Sequence, residues 1–347
     1  MEKPARINAI TTAVPPHILT QSQATELAAE LLSAIPHVFN RLLPSFKNAQ
    51  VDKRHFCVPV ETWLKEDRSF KERNEMCVTH SVDLLEQATR SCLEQAGMKP
   101  EDLGGMIVAT TSALAVPSID ALLIERMNLR RDIKRLPLFG LGCASGPIGL
   151  AHAAMMAQAE PGLRVLVAGV DVSSLMFHRG NMGKGTVISF TLFGDGASAA
   201  IVSCEGEGAI VKGLKEYTWP NSLDLAKVEY SELGASVLLS KDLVQHFVGD
   251  TDEMIDWYLK SQNLTPEDID GYIIHPGGIK IVEAFEEALN MPSGGLIHAR
   301  ETLRQYGHVG AATVMFVLER TLANEKGRFL MFGPGFGLTG GFLTVEN

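Results

Sequence analysis

Apolar residues recur at helical spacing between Val78 and Ala96, at Val82, Leu84, Leu85, Ala88, Cys92 and Leu93. That period predicts an amphipathic helix. Short, largely apolar runs alternate with such stretches. Met106–Thr111, Leu136–Leu141 and Arg164–Asp171 predict buried strands, and Ile119–Met127 and Ala144–Ala157 predict helices between them. Pro147 falls in the first turn of the second helix, where its missing N–H costs nothing. Nearer the N-terminus, Arg6–Thr12 predicts a strand closed by Pro15 and Pro16. Ser22–Leu32 predicts a helix with Ser22 as N-cap, and Pro36–Asp67 is irregular. The Gly194-Asp195-Gly196 run predicts a turn, followed by a strand at Ala199–Ser203.

Glu205–Glu207 reads as a boundary, followed by a polar, variable stretch over Tyr217–Ser240. Regular alternation then resumes. It gives a helix at Thr251–Gln262, a strand at Gly271–His275, a helix at Gly278–Leu289 and a loop at Arg304–Gly307. A small-residue helix follows at Val309–Asn324, and strands at Phe329–Phe332 and Gly341–Val345 flank GPGFGLTG. The second half echoes the first, with GCASGPIGLAHAA matched by YGHVGAATVMFVL, each a glycine turn opening a small-residue helix. The pattern predicts a duplicated α/β fold of stacked helix and sheet layers, with halves at 1–207 and 208–347.

The chain has 347 residues, 46% hydrophobic and 21% charged, with a net charge of -10. That composition is ordinary for a globular protein. The acidic balance and lack of a basic tract argue against nucleic acid as a partner. MEKPARINAITTAVPP lacks the apolar core of a signal peptide, and no apolar run reaches membrane-spanning length. A cytoplasmic location is expected. The five cysteines are scattered, without a CxxC pair or zinc-type spacing, so no metal site is expected and a reducing compartment fits.

Three reactive side chains fall on predicted turns. Cys143 ends a strand and precedes a helix, where free backbone N–H groups lower a thiol pKa. The alternative is a buried, inert thiol. His275, before Pro276-Gly277-Gly278, is either a reactive or a structural turn histidine, and His308 either a reactive group or a helix cap. Duplication sets Cys143 and His308 at comparable helix starts, facing one cavity. A thiol with two imidazoles is the set a thioester-processing nucleophile needs, one group attacking and the others binding the developing oxyanion or enolate. The Lys53-Arg54-His55 cluster is either a phosphate contact or a solvated surface patch.

Six segments, in order and spacing, carry a family resemblance. They are TTSALAVPSIDALL (Thr110–Leu123), FGLGCASG (Phe139–Gly146), LFGDGASAAIV (Leu192–Val202), YIIHPGG (Tyr272–Gly278), YGHVGAAT (Tyr306–Thr313) and FGPGFGLT (Phe332–Thr339). Together they make nearly the whole chain resemble the type III polyketide synthases, the chalcone-synthase-like members of the thiolase superfamily. The resemblance implies an αβαβα fold and a homodimer. It implies acyl-CoA and malonyl-CoA as substrates, with no further cofactor. Cys143 would carry the acyl group, and His275 would hold the thiolate and later the thioester carbonyl. Phe193 would gate the cavity, while Gly335 and Phe336 in the GPGFG loop would shape its floor. Thr111 and Val116 would line a cyclisation pocket, Val116 reaching the other subunit, and Lys53 and Arg54 would meet CoA phosphates.

The chain also departs from that pattern. His308 stands where the family carries Asn. A neutral ring offers one N–H where the amide offers two, enough for decarboxylation but bulkier. Val237 and Met176 stand where plant relatives often carry Phe and Thr, which implies a more apolar, longer cavity and a fatty-acyl starter. The expected product is a pyrone, a resorcinol or a related polyketide. A ketoacyl synthase-like enzyme, a non-decarboxylating acyltransferase or thioesterase, and an inactive homologue are the rivals on the same fold. A dinucleotide-binding reading fails on spacing, since GCASGPIG is not G-x-G-x-x-G and GPGFG leads into a strand.

Overall fold

The computed structural model describes residues 3–31, 36–60, 66–176, 178, 190–240 and 242–347. One mixed sheet of nine strands forms its frame: β1 (Arg6–Ala13), β4 (Gly105–Thr110), β5 (Lys134–Phe139), β6 (Val165–Val172), β7 (Asp195–Ser203), β8 (Ala209–Thr218), β11 (Gly271–Ile274), β12 (Arg328–Pro334) and β13 (Thr339–Glu346). The spatial order is β11-β12-β13-β8-β1-β7-β6-β4-β5. The two halves of the sheet meet only where Arg6 and Ile7 pair with Ile210 and Ala209. Two hairpins stand apart, β2 (His17–Thr20) with β3 (Lys53–Phe56), and β9 (Ala226–Ser231) with β10 (Gly234–Leu239).

The helices are α1 (Gln21–Leu31), α2 (Pro36–Asn48), α3 (Phe70–Ala96), α4 (Ile119–Met127), α5 (Ser145–Ala159), α6 (Leu243–Ser261), α7 (Ile279–Ala288), α8 (Ile297–Tyr306) and α9 (Thr313–Asn324). Central strands are buried on both faces, and their period of two divides their side chains between two cores. In β6, Val165 and Val167 face the core that holds Leu150 and Ala154 of α5. Leu166, Ala168 and Val170 face the core that holds Leu85 and Ala88 of α3. On the other side of α5, Tyr258 of α6 stacks on Phe342 of β13, and Phe285 of α7 meets Phe332 of β12 edge-on. The result is five layers, helix on sheet on helix on sheet on helix, with α5 and α9 in the middle. Gly146 makes the middle layer possible: a Cβ there would lie 2.6 Å from Val314 of α9.

Most predicted elements are present, and the differences have local causes. Ile119–Met127 forms as predicted, while the helix predicted from Val78 begins earlier, at Phe70. Ser69 and Glu72 cap each other there, a signal that outranks the apolar period. Ser22 is not the N-cap of α1, because Gln21 is already helical and the Ser22 hydroxyl bonds Glu26. Leu32, the predicted end of that helix, lies outside the described residues, as do residues 61–65 of the irregular stretch. Of the Gly-Asp-Gly run, Asp195 and Gly196 open strand β7 rather than a turn. The predicted loop at Arg304–Gly307 is largely the end of helix α8, whose apolar face is reduced to Ala299 and Leu303. The polar stretch Tyr217–Ser240 contains the β9–β10 hairpin, half-buried and therefore weak in apolar alternation. Among the described residues, no helix is long and apolar enough to cross a membrane.

Candidate active site

The two glycine turns of the sequence are built alike. Cys143 sits in a single 3₁₀ turn (Gly142–Ala144) that runs into α5, and His308 stands two residues before a matching turn (Gly310–Ala312) that runs into α9. Gly142 takes φ +54, a conformation that favours glycine. His275 follows the last residue of β11 and is held there by its own N–H, which donates to the Phe332 carbonyl. The loop of His308 is bonded to the 192–194 segment: its N–H donates to Leu192 O at 2.8 Å, and Gly194 N–H donates to its carbonyl at 3.0 Å.

These placements bring the three side chains together. Sγ of Cys143 and the facing ring nitrogens of His275 and His308 all lie within 4.8 Å of one another. Nε2 of His308 is the central atom, 3.2 Å from Sγ and 3.2 Å from Nε2 of His275. Its tautomer follows from a fourth contact. Gly310 N–H donates to Nδ1 of His308 at 3.1 Å, so a neutral ring carries its proton on Nε2. One N–H thus faces two lone-pair atoms, the sulfur and the His275 nitrogen. The same three atoms are close enough to share a metal ion. However, a ligand nitrogen must offer a lone pair, and this tautomer puts a proton on it.

Burial governs the charges. It pushes the Cys143 thiol up, and the Asp171 carboxylate adds to that rise. Burial holds His308 down to about 4, and burial followed by the neighbouring His308 holds His275 well below the usual imidazole range. The resting site is therefore a thiol with two neutral imidazoles. The expected helix-terminus depression of the thiol pKa is outweighed by desolvation.

A cavity of about 60 Å³ opens onto Cys143 and His308, while His275 lies behind them and outside its lining. Thr111, Met176, Phe193, Val237 and Phe336 line it, as expected from the sequence. Phe193 packs on the His308 ring with centroids 4.3 Å apart. Phe336 lies over Gly142, where a Cβ would meet its ring at 2.6 Å. Three expectations shift. Val116 does not line the cavity but is fully exposed. Gly335 is not in the lining either; it lies beneath the Cys143 turn, where a Cβ would strike the Leu141 carbonyl. Arg54 cannot meet phosphates from the surface. It is 0% exposed, it donates to the Phe190 carbonyl and to Gln21 Oε1, and its guanidinium lies near the Phe56 and Phe190 rings. Only Lys53 of that pair is partly exposed.

Sequence reasoning also missed residues. Val228, Ala235 and Ser236 reach the cavity from the β9–β10 hairpin. Asp171 lines it too, and its carboxylate accepts from Thr111 N–H and Ser112 N–H at 2.8 Å each and from Ala311 N–H at 2.7 Å. It ties the Thr111 loop to the turn after His308. The available signal was a lone carboxylate in an otherwise apolar strand run, RVLVAGVD. The other four cysteines show no such setting. Cys57, Cys77 and Cys92 are buried with thiols pushed up by desolvation, Cys77 and Cys92 to about 12.

Comparison with known proteins agrees with this geometry. Residues 1–206 match the N-terminal domain of the chalcone and stilbene synthases, and residues 214–345 match their C-terminal domain. The chain is 31% identical over 357 residues to a 1,3,6,8-tetrahydroxynaphthalene synthase of Streptomyces peucetius, covering 97% of this chain and 92% of that one. It is 26% identical over 333 residues to a phloroglucinol synthase of Pseudomonas fluorescens, covering 93% and 94%. The crystal structure of the 1,3,6,8-tetrahydroxynaphthalene synthase of Streptomyces coelicolor, a bacterial type III polyketide synthase, superposes with a TM-score of 0.92 at 25% identity, covering 98% of this chain and 99% of that one.

Proposed function

Because this chain belongs to the chalcone and stilbene synthase family of type III polyketide synthases, thiolase-fold condensing enzymes that transfer acyl groups from CoA thioesters, we propose that it condenses malonyl-CoA, with loss of CO2, onto an acyl group held by Cys143. The observation that carries this reading is the central Nε2–H of His308, 3.2 Å from both Sγ and His275 Nε2, on the wall of an apolar cavity. The roles divide by proton. His308 already holds one on Nε2 and acts as a donor. His275 has the open lone pair and takes the thiol proton as sulfur attacks the acyl-CoA carbonyl; it returns that proton to the departing CoA sulfur, CoA leaves as the free thiol, and the acyl group stays on Sγ. Malonyl-CoA follows, and its thioester oxygen takes the place of the sulfur as acceptor from the Nε2–H of His308. The carboxylate leaves as CO2, and the resulting enolate attacks the Cys143 thioester. The extended chain returns to Cys143 for another round, or leaves by ring closure or hydrolysis.

The lining supports an alkyl starter and its volume a short one. A cavity of about 60 Å³ is well below the roughly 300–1,000 Å³ of ordinary small-molecule pockets. A fatty-acyl chain would need the Phe336 ring to leave Gly142. Product mass spectrometry with malonyl-CoA and a chain-length series of acyl-CoAs, with Cys143→Ala as blank, tests both points. Acetyl- to butyryl-CoA should be the preferred starters. Acyl transfer to Cys143 without CO2 release from malonyl-CoA would establish the non-decarboxylating alternative instead.

A second copy of the chain is the partner this reading includes. Val116 is fully exposed, and Phe139, which pairs with Thr110 at the end of edge strand β5, is 54% exposed. Exposed apolar side chains such as these are what a second subunit would cover. Light scattering should give a dimer, and Val116→Glu with Phe139→Glu should shift it to monomer.

A further inference from the structure

Two consecutive residues near the start of α3 hold two different segments of the cavity lining. Arg73 is 2% exposed. Its Nη1 donates to the carbonyls of Leu175 and Met176 at 3.3 and 3.1 Å, and its Nη2 donates to that of Leu233 at 2.6 Å. Met176 lines the cavity directly. Leu233 lies in the turn of the β9–β10 hairpin, which supplies Val228, Ala235 and Val237. Gly234 in the same turn leaves room for the guanidinium, since a Cβ there would lie 3.1 Å from both Nη atoms. Asn74 acts on the other wall. Its Nδ2 donates to the Leu114 carbonyl at 2.8 Å, and its Oδ1 accepts from Leu114 N–H at 3.0 Å. Leu114 belongs to the loop that begins with Thr111 and Ser112, both in the lining.

Successive helix positions point about 100° apart, so adjacent residues can grip different segments. The Ser69–Glu72 capping box fixes where the helix starts and therefore which way each residue points. The planar fork of an arginine suits several carbonyls at once, which a lysine cannot reproduce. These bonds run to backbone atoms, so they fix wall positions whatever side chains the walls carry.

We propose that Arg73 and Asn74 are positioning residues that set the width of the cavity, and thereby select the length of the starter and the number of extension rounds. The inference rests on the polyketide synthase reading above. Neither residue touches the thiol or the two imidazoles. Loosening either wall therefore changes which acyl groups fit, not the reactivity of the sulfur.

The test compares Arg73→Lys and Asn74→Asp with the wild type in three measurements. These are acylation of Cys143 across an acetyl- to dodecanoyl-CoA series by mass spectrometry, polyketide product distribution, and alkylation of Cys143 by iodoacetamide. In the variants, the ratio of kcat/KM for hexanoyl-CoA over acetyl-CoA should rise about 10-fold, the size of effect that one or two methylenes produce in an apolar pocket. Products should move to at least one more extension, and alkylation should stay within about 2-fold. An unchanged acyl ratio, or an equal fall in every acyl-CoA and in alkylation together, overturns the proposal. Should Arg73→Lys fail to fold, the ratio for Asn74→Asp decides by itself. Acylation selectivity is read without malonyl-CoA, so a wild type that acylates but makes no polyketide sinks the reaction assignment and leaves the clamp to be judged on its own ratio.

Discussion

The amide N–H of Gly310 donates to Nδ1 of His308 at 3.1 Å, and this contact puts the ring proton on the nitrogen that faces Cys143. A histidine in this loop therefore presents one N–H to the reacting atoms, as an asparagine amide would. It cannot accept the thiol proton at that nitrogen. The neighbouring His275 is left with that task.

If His308 acts as a donor, His308→Asn should keep CO2 release from malonyl-CoA within about 10-fold of wild type. His308→Ala should lose about 10²- to 10³-fold in kcat, the usual cost of one missing oxyanion donor. Release of ¹⁴CO2 from labelled malonyl-CoA measures both. Equal losses in the two variants would show that the N–H is not what the ring contributes.

The acid limb of stability should report the same ring. Burial holds His308 to about 4 against an ordinary value of 6.5. Between those values the unfolded chain takes a proton that the folded one refuses, so stability falls as pH drops from 6.5 to 4. Asp195 works the other way, because burial holds it at about 6 against 3.8, and its folded form takes the proton first. His308→Asn removes only the first effect. Urea unfolding at pH 7 and pH 5 should show a smaller loss in the variant than in the wild type, and parallel losses would contradict the assignment.

Asp171 raises the Cys143 thiol pKa while its oxygens satisfy three backbone N–H groups. Asp171→Asn should shift the pH profile of iodoacetamide alkylation to lower pH. It should also cost about 1–3 kcal/mol of stability, because the amide nitrogen would face Ala311 N–H and leave that donor unmet. A profile that does not move would remove the carboxylate from the control of the thiol.

Arg54 should act on stability and not on CoA binding. Arg54→Leu leaves the Phe190 carbonyl and Gln21 without their donor, and a loss of about 1–3 kcal/mol is expected. KM for acyl-CoA in the folded fraction should stay within about 2-fold. A selective rise in KM would restore the phosphate-contact role that burial argues against.

The amino-acid sequence determined the layered α/β architecture, because buried strands and amphipathic helices write their periods directly into the order of residues. It also placed Cys143, His275 and His308 on turns, since each stands beside glycines that only a sharp bend requires. What it left open was every relation that crosses the fold. Arg54 lies in a charged triplet yet is wholly buried, because Phe56, Phe190 and Gln21 come from segments far apart in the chain. The β9–β10 hairpin reads as a polar stretch, because its strands are half-buried and one face covers the cavity. The tautomer of His308 rests on Gly310 N–H, and the cavity walls rest on bonds from Arg73 and Asn74 to carbonyls 40 to 160 positions away. Periodicity records which residues are buried. Which buried group meets which is fixed only when α5 and α9 pack back to back and bring the two halves onto one site.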